Sequence, residues 1–221
     1  MFLVRSYLNT LDGVASAIHL PYLPSLLEEF LHEQLYPDDT ITHPRINPHI
    51  HIRSINVYHS ARAVFRAPSN DSGLHGMFRE LIRATPNWRR GEMSGPRYDC
   101  VYVAGSGDDR RMGGLLIARV HRFISFKCFG QRFPCAIIRW FSVCGNEPDP
   151  DNGMWIVTPD FNQDGSPAFS IIHVETILRS AHLLPIFRGP VHGSIRYIDS
   201  LDIFHAYYVN RYIDQHAFCL T

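Results

Sequence analysis

Apolar residues recur with a helical period early in the chain and with shorter periods later. Residues 21–36 carry acidic residues on one side and apolar residues at helical spacing on the other, which predicts a helix that ends at Pro37; the apolar residues are Leu23, Leu26, Leu27, Phe30, Leu31 and Leu35. Residues 38–49 are polar, contain two prolines and are typical of a linker. The β-rich stretch from 50 to 66 predicts one or two short strands, and a turn cluster at 68–73 predicts a short helix from Leu74 to Ala84.

The pattern changes after residue 96. Short apolar runs now alternate with turns rich in Gly, Asp and Pro, which is typical of a small barrel or sandwich. An apolar stripe from Leu201 to Ile213, preceded by Asp199 and Ser200, predicts a C-terminal helix that packs back on the barrel. The predicted barrel strands are Asp99–Ala104, Gly114–Phe126, Cys135–Phe141, Met154–Pro159, Ser170–His173 and Ala181–Phe187.

These elements predict an α+β fold: a small, mostly antiparallel β-barrel with a helical and irregular N-terminal part and a C-terminal helix. The chain has 221 residues, of which 45% are hydrophobic, so it can bury a core. We expect an N-terminal region at 1–96, a barrel domain at 97–190 and a C-terminal helix at 191–221.

Charge and cysteine usage narrow the class of protein. The net charge is zero, but residues 41–132 carry 15 basic and 6 acidic side chains, so the middle of the chain suits an anionic partner. Nearly all basic residues are arginine, which suits bidentate contacts with phosphate and also follows from codon bias. Five cysteines without a CxxC pair, and no apolar segment of about 18 residues, predict an intracellular protein with reduced thiols and no membrane partner.

Four blocks of residues follow one another in an unusual order: Arg97-Tyr98-Asp99-Cys100-Val101, Phe133-Pro134-Cys135-Ala136, Gly153-Met154-Trp155-Ile156-Val157 and Tyr207-Tyr208-Val209-Asn210-Arg211-Tyr212. They resemble the C-terminal region of Plavaka-type proteins, which basidiomycete transposons related to the CACTA group encode, and the resemblance covers most of the chain. It implies a non-catalytic accessory region, because the RNase H-like catalytic core of such proteins lies upstream. We therefore expect no enzyme activity, cofactor or metal ion.

Residues 97–187 also resemble a bromo-adjacent-homology (BAH) domain. The resemblance rests on four strand motifs, Val101–Val103, Ile117–Val120, Arg139–Phe141 and Met154–Val157. BAH domains are small bent β-barrels that bind histone tails or other chromatin proteins, so the resemblance implies such partners and a nuclear rather than cytoplasmic location. The Arg-Pro-Glu element that often follows the Trp strand is replaced here by Ser142-Val143-Cys144-Gly145.

Four aromatic residues, Tyr102, Trp140, Phe141 and Trp155, are candidates for a peptide-binding site. Aromatic faces attract a methylated ammonium by about 1–2 kcal/mol each, so an exposed cage would read a modified histone tail. The alternative is that these rings fill the barrel core. An exposed pocket around Trp140 and Trp155 would distinguish the two.

A second hypothesis is DNA binding through an arginine-rich patch, with Trp88 as a stacking surface. The alternative is that these arginines form the solvated face of the predicted helix and its loop. Contiguous arginine exposure on one face would favour DNA binding. The candidate residues are Arg79, Arg83, Arg89, Arg90, Arg97, Arg110 and Arg111.

No motif commits the chain to a reaction. The nucleophile elbow, the P-loop and the dinucleotide-binding fingerprint are all absent from the sequence. Cys128, Cys135 and Cys144 lack the short spacing of structural zinc sites. A cluster of four Asp residues between Asp149 and Asp164 leaves a metal-dependent nuclease fragment open, although their Pro, Gly and Asn neighbours are typical of turns. The sequence does not indicate an oligomeric state.

Overall fold

The computed structural model describes residues 10–37, 43–66, 77–88, 95–105, 111–187, 189 and 195–220. The helices are α1 (Leu11–Ala17), α2 (Leu23–Leu35), α3 (Pro48–His51), α4 (Ser200–Ile203) and α5 (Gln215–Leu220). The strands are β1 (Ile55–Tyr58), β2 (Ser60–Arg66), β3 (Met77–Thr85), β4 (Arg97–Tyr98), β5 (Cys100–Ala104), β6 (Leu115–Cys128), β7 (Gln131–Cys144), β8 (Ile156–Pro159), β9 (Phe169–His173), β10 (Ile177–Ala181), β11 (Leu183–Pro185) and β12 (Tyr207–Val209).

Most strands belong to one antiparallel sheet that is almost closed into a barrel. Its main path runs β10-β5-β6-β7-β8-β12-β11, while β1 pairs with β6 and β9 pairs with β7. The centre is the long β6–β7 hairpin, whose register slips once between Val120 and Arg122. This mostly antiparallel, barrel-like sheet with few helices confirms the predicted α+β class. The predicted domain boundaries stay a prediction.

Alternation along the central hairpin separates three hydrophobic cores, because neighbouring residues of a strand face opposite sides. One side of the hairpin holds Val120, Ala136 and Ile138, which pack with residues of β5 and β3. On the other side, α1 and α2 cover one end, where Phe30 meets Phe126 edge to face. The other end of that side packs with residues of β5, β8 and β12.

A second, smaller sheet consists of β2, β3 and β4. Strands β2 and β3 form a two-stranded antiparallel ribbon from the Ser60–Arg83 pair to the Arg66–Met77 pair. Its inner face packs on the barrel through Ile82 and Ala84, which are almost fully buried. This anchoring leaves the opposite face of the ribbon toward solvent.

The helix predicted from Leu74 to Ala84 is wrong. Residues 77–85 form β3, and Leu74 lies outside the described residues. The segment pairs with β2 over seven positions, and its residues alternate in burial. Its backbone hydrogen bonds are therefore made to a partner strand that the periodicity of the sequence does not reveal.

The prediction of a single C-terminal helix is also wrong. Within the stripe from Leu201 to Ile213 only α4 is helical, and β12 follows it. Tyr207 and Val209 are buried while Tyr208 between them is half-buried. Strand β12 fills the place between β8 and β11, and the hydrogen bonds of that sheet outweigh the helical spacing of the apolar side chains.

Six predicted barrel strands are confirmed, with shifted ends, as β5, β6, β7, β8, β9 and β11. The predicted helix over residues 21–36 is confirmed as α2. Helices α1 and α3 and strands β4 and β10 were not predicted, and α3 begins within the stretch at 38–49 that was predicted to be a linker.

Candidate nucleic-acid interface

The outer face of the β2–β3 ribbon alternates arginine with exposed aliphatic side chains. The register pairs Arg62 with Leu81 and Val64 with Arg79, and directly opposed residues of an antiparallel pair share a face. Arg62 and Arg79 are exposed, and Arg83 is half-buried two positions beyond Leu81. Val64 is 51% exposed and Leu81 37% exposed. The face therefore presents guanidinium groups separated by apolar surface.

The acidic side chain of the ribbon points the other way. Glu80 is the one acidic residue within β2 and β3. Its carboxylate accepts the backbone N–H and, at 2.9 Å, the hydroxyl of Ser180, and lies 3.8 Å from Arg179. Arg62 and Arg79 make no ion pair with any described residue. The outer face is therefore positive without a neutralising carboxylate in the ribbon.

Trp88 lies at the base of the ribbon beside two arginines. The guanidinium carbon of Arg83 is 4.2 Å from the centroid of the indole and that of Arg97 is 4.7 Å away. Asp99 accepts the Arg97 Nε–H at 2.7 Å and the Arg83 backbone N–H at 2.8 Å. Burial and the neighbouring Arg97 lower the pKa of Arg83, and Asp99 opposes the change. Asp99 thus holds the Arg97 guanidinium beside the indole and fixes the backbone at Arg83.

A cleft of about 630 Å³ adjoins this cluster. Trp88, Arg97 and Tyr98 line one part of it, and Arg119 of β6 and Ser200 line another. The arrangement combines a flat ring, hydrogen-bond donors and positive charge, which are the groups that single nucleotides contact in proteins.

The predicted arginines do not all lie on one surface. The structure brings Arg79, Arg83 and Arg97 to the ribbon and its base. Arg111 lies elsewhere, where its Nη1 donates to the carbonyls of Val143 and Gly145 at 3.4 and 3.3 Å. Arg89, Arg90 and Arg110 lie outside the described residues.

Arg62 is a member of the face that the sequence prediction missed. The signal that identifies it is the even spacing of Arg62 and Val64 in a β-rich run, which becomes informative only once β3 is recognised as its partner.

The four predicted aromatic residues do not form a shared pocket. Tyr102, Phe141 and Trp155 lie in one buried core and are 1%, 3% and 9% exposed. Trp140 lies on the opposite side of β7, because it is the neighbour of Phe141 in the strand. Its indole N–H donates to Ser170 at 3.0 Å. The rings contribute to two different cores, as the core-filling alternative expects.

Two buried arginines of the β6–β7 hairpin, Arg119 and Arg139, form with Asp202 a cluster that we call the seam. Arg119 and Arg139 are cross-strand partners, and their guanidiniums share one carboxylate oxygen of Asp202, at 2.8 and 3.5 Å. His121 stacks on Tyr98, with ring centroids 5.0 Å apart. Burial, together with Arg119, Arg139 and the nearby Arg122, lowers the pKa of His121 to about 3. The buried arginines therefore keep His121 neutral, and Asp202 is the carboxylate that Arg119 and Arg139 share.

The cysteines and carboxylates give no metal centre in the part of the chain that the structure describes. No group of three or more His, Cys, Asp or Glu side chains there is arranged to hold an ion. Cys100, Cys128 and Cys135 are free and buried, and burial raises the pKa of the Cys100 thiol to about 12. Within the same residues, no helix is long and apolar enough to cross a membrane.

Comparisons of the chain with protein-family models, with curated proteins and with solved structures find no match. The resemblances to Plavaka-type proteins and to BAH domains therefore stay predictions.

Proposed function

We propose that this protein binds nucleic acid through the outer face of the β2–β3 ribbon, as a non-catalytic accessory region of a transposon-derived protein. The observation that carries the proposal is that exposed Arg62 and Arg79 and half-buried Arg83 share one face of the ribbon, while Glu80, the acidic residue of β2 and β3, lies on the other face. A nuclear location follows from the proposed ligand.

The ribbon suits duplex DNA in shape and chemistry. The major groove admits a two-stranded β-ribbon. Guanidinium groups contact phosphates in bidentate fashion, and exposed aliphatic groups such as Val64 and Leu81 suit the methyl group of thymine. Trp88 with its two arginines extends this surface toward the cleft and adds positive charge and aromatic surface there.

Histone-tail binding is the less favoured proposal. A cage for a methylated ammonium needs aromatic faces that are open to solvent. Tyr102, Phe141 and Trp155 are at least nine-tenths buried, and Trp140 belongs to the other side of its strand. The arginines Arg62 and Arg79 of the ribbon, in contrast, are already exposed.

Fluorescence anisotropy with a labelled 20-base-pair duplex tests the proposal. We expect the Arg62→Ala/Arg79→Ala variant to bind about tenfold more weakly than the wild type at low salt, since each lost phosphate contact weakens binding several-fold. The matched control is Arg45→Ala, because the Arg45 side chain is 85% exposed and outside the ribbon. Equal affinities of the double variant and the wild type would contradict the proposal.

A further inference from the structure

A second cationic cleft opens beside the turn of the β6–β7 hairpin. Its volume is about 620 Å³, within the range of small-molecule sites. Arg53, Lys127 and Arg132 line it, and none of its described lining residues is acidic. Three cations without a carboxylate favour an anionic ligand.

The register of the sheet forces two of these cations together. Lys127 and Arg132 are directly opposite each other in the antiparallel hairpin, so their side chains share a face. Like charges in this position destabilise a sheet. An anion bound between them would relieve that repulsion.

Two hydroxyl groups at the floor of the cleft orient Arg132. Tyr58 and Ser125 are 3% and 1% exposed, and their oxygens lie 3.1 Å apart. The Arg132 Nη2 donates to Tyr58 at 3.2 Å and to Ser125 at 3.4 Å. The guanidinium is therefore fixed before any ligand arrives, which lowers the entropic cost of binding.

Phe129, an aromatic residue in a strained backbone conformation, lines the cleft. Phe129 and Gly130 form the two-residue loop of the hairpin with φ values of +49° and +81°. Such turns favour Asn-Gly, because a side chain with positive φ is strained. Phe129 is nevertheless 62% exposed, and its ring centroid lies 4.4 Å from that of His51. Strained residues cluster at ligand sites, and this one presents a flat ring beside the cations.

We propose that this cleft binds a nucleoside phosphate, with the phosphate on Arg53, Lys127 and Arg132 and the base stacked against Phe129. The ligand is either a free nucleotide or the terminal nucleotide of a strand, since both present the same phosphate and base. This site uses none of the ribbon residues, so its test is independent of the proposed duplex binding.

Isothermal titration with adenosine monophosphate, adenosine and inorganic phosphate tests the cleft in the full chain. We expect saturable binding of the monophosphate, and about tenfold weaker binding of each fragment, because each lacks one of the two contacts. Lys127→Glu is expected to weaken the monophosphate about tenfold or more. Phe129→Asn, which restores the preferred turn sequence, is expected to weaken the monophosphate about tenfold and leave phosphate binding unchanged.

Thermal melting of each variant separates loss of binding from loss of folding, and Arg45→Ala serves as the matched surface control. A 5′-phosphorylated oligonucleotide that binds more tightly than the monophosphate supports the strand end as the ligand, and the reverse order supports a free nucleotide. The proposal is overturned if the wild type shows no saturable monophosphate binding. It is equally overturned if folded Lys127→Glu and Phe129→Asn variants bind the monophosphate as the wild type does.

Discussion

Asp202→Asn removes the charge that two buried arginines share. The side chains of Arg119 and Arg139 are 6% and 7% exposed, whereas Asp202 is 50% exposed. Breaking a fully buried ion pair costs about 3–5 kcal/mol. Because half of Asp202 faces water, solvent screens part of the interaction, and we expect a loss of about 2 kcal/mol in the free energy of unfolding. Asparagine keeps the shape of the side chain, so the loss reports the charge.

Urea denaturation followed by circular dichroism measures this loss. With a denaturant slope of about 2 kcal/mol per molar, the midpoint is expected to fall by about 1 M. Added salt should recover part of the loss in Asp202→Asn, since it screens the repulsion between Arg119 and Arg139. The control is Asp151→Asn, an exposed residue of a turn outside the seam. A midpoint within about 0.2 M of the wild type would refute the proposed role of Asp202.

Three further predictions concern single residues. The pKa of His121 in the folded chain lies below its value in the unfolded chain, so the stability that neutral His121 contributes is complete above pH 6.5. Below that pH the free energy of unfolding should fall by about 1.4 kcal/mol per pH unit toward pH 4. His121→Phe should reduce this pH dependence in urea titrations at several pH values. Phe129→Asn should stabilise the fold by about 1 kcal/mol in the same assay, because the strained φ is relieved; a loss of stability would contradict the turn assignment. The exposed Cys219 should react with a thiol reagent much faster than the buried Cys100 and Cys135, and equal rates would show that the core opens readily.

The barrel could be predicted from the sequence because its strands are apolar runs bounded by turn residues. Strand β10, which was not predicted, contains Arg179, which is buried against Asp214 through two hydrogen bonds of 3.0 and 2.6 Å. A buried, paired arginine breaks the apolar pattern by which a strand is recognised. Local sequence does not reveal the carboxylate partner, which lies 35 residues away.

The two false helices have a common cause. Arg79 and Arg83 are four residues apart, so they share a face on either a helix or a strand, and the pattern of β3 fits both. The same ambiguity applies to Tyr208 and Tyr212 near the C-terminus. The decision comes from distant partner strands, since β3 pairs with β2 and β12 pairs with β8. Single-sequence periodicity does not contain that information.

The candidate sites, too, could be predicted from the sequence only in part. Arg79, Arg83 and Arg97 could be grouped from the sequence, since they are close along the chain. Arg62 required the register of the ribbon. The cleft beside the β6–β7 turn joins Arg53 with that turn, and the pairing of β1 with β6 brings them together.

The salt dependence of duplex binding tests the central claim most directly. The measurement is the slope of the logarithm of the binding constant against the logarithm of salt concentration, for the wild type and for Arg62→Ala/Arg79→Ala. If both guanidiniums contact phosphates, the slope should become shallower by about 1.8, from about 0.9 for each lost contact. Parallel slopes for the two proteins would contradict nucleic-acid binding through the ribbon.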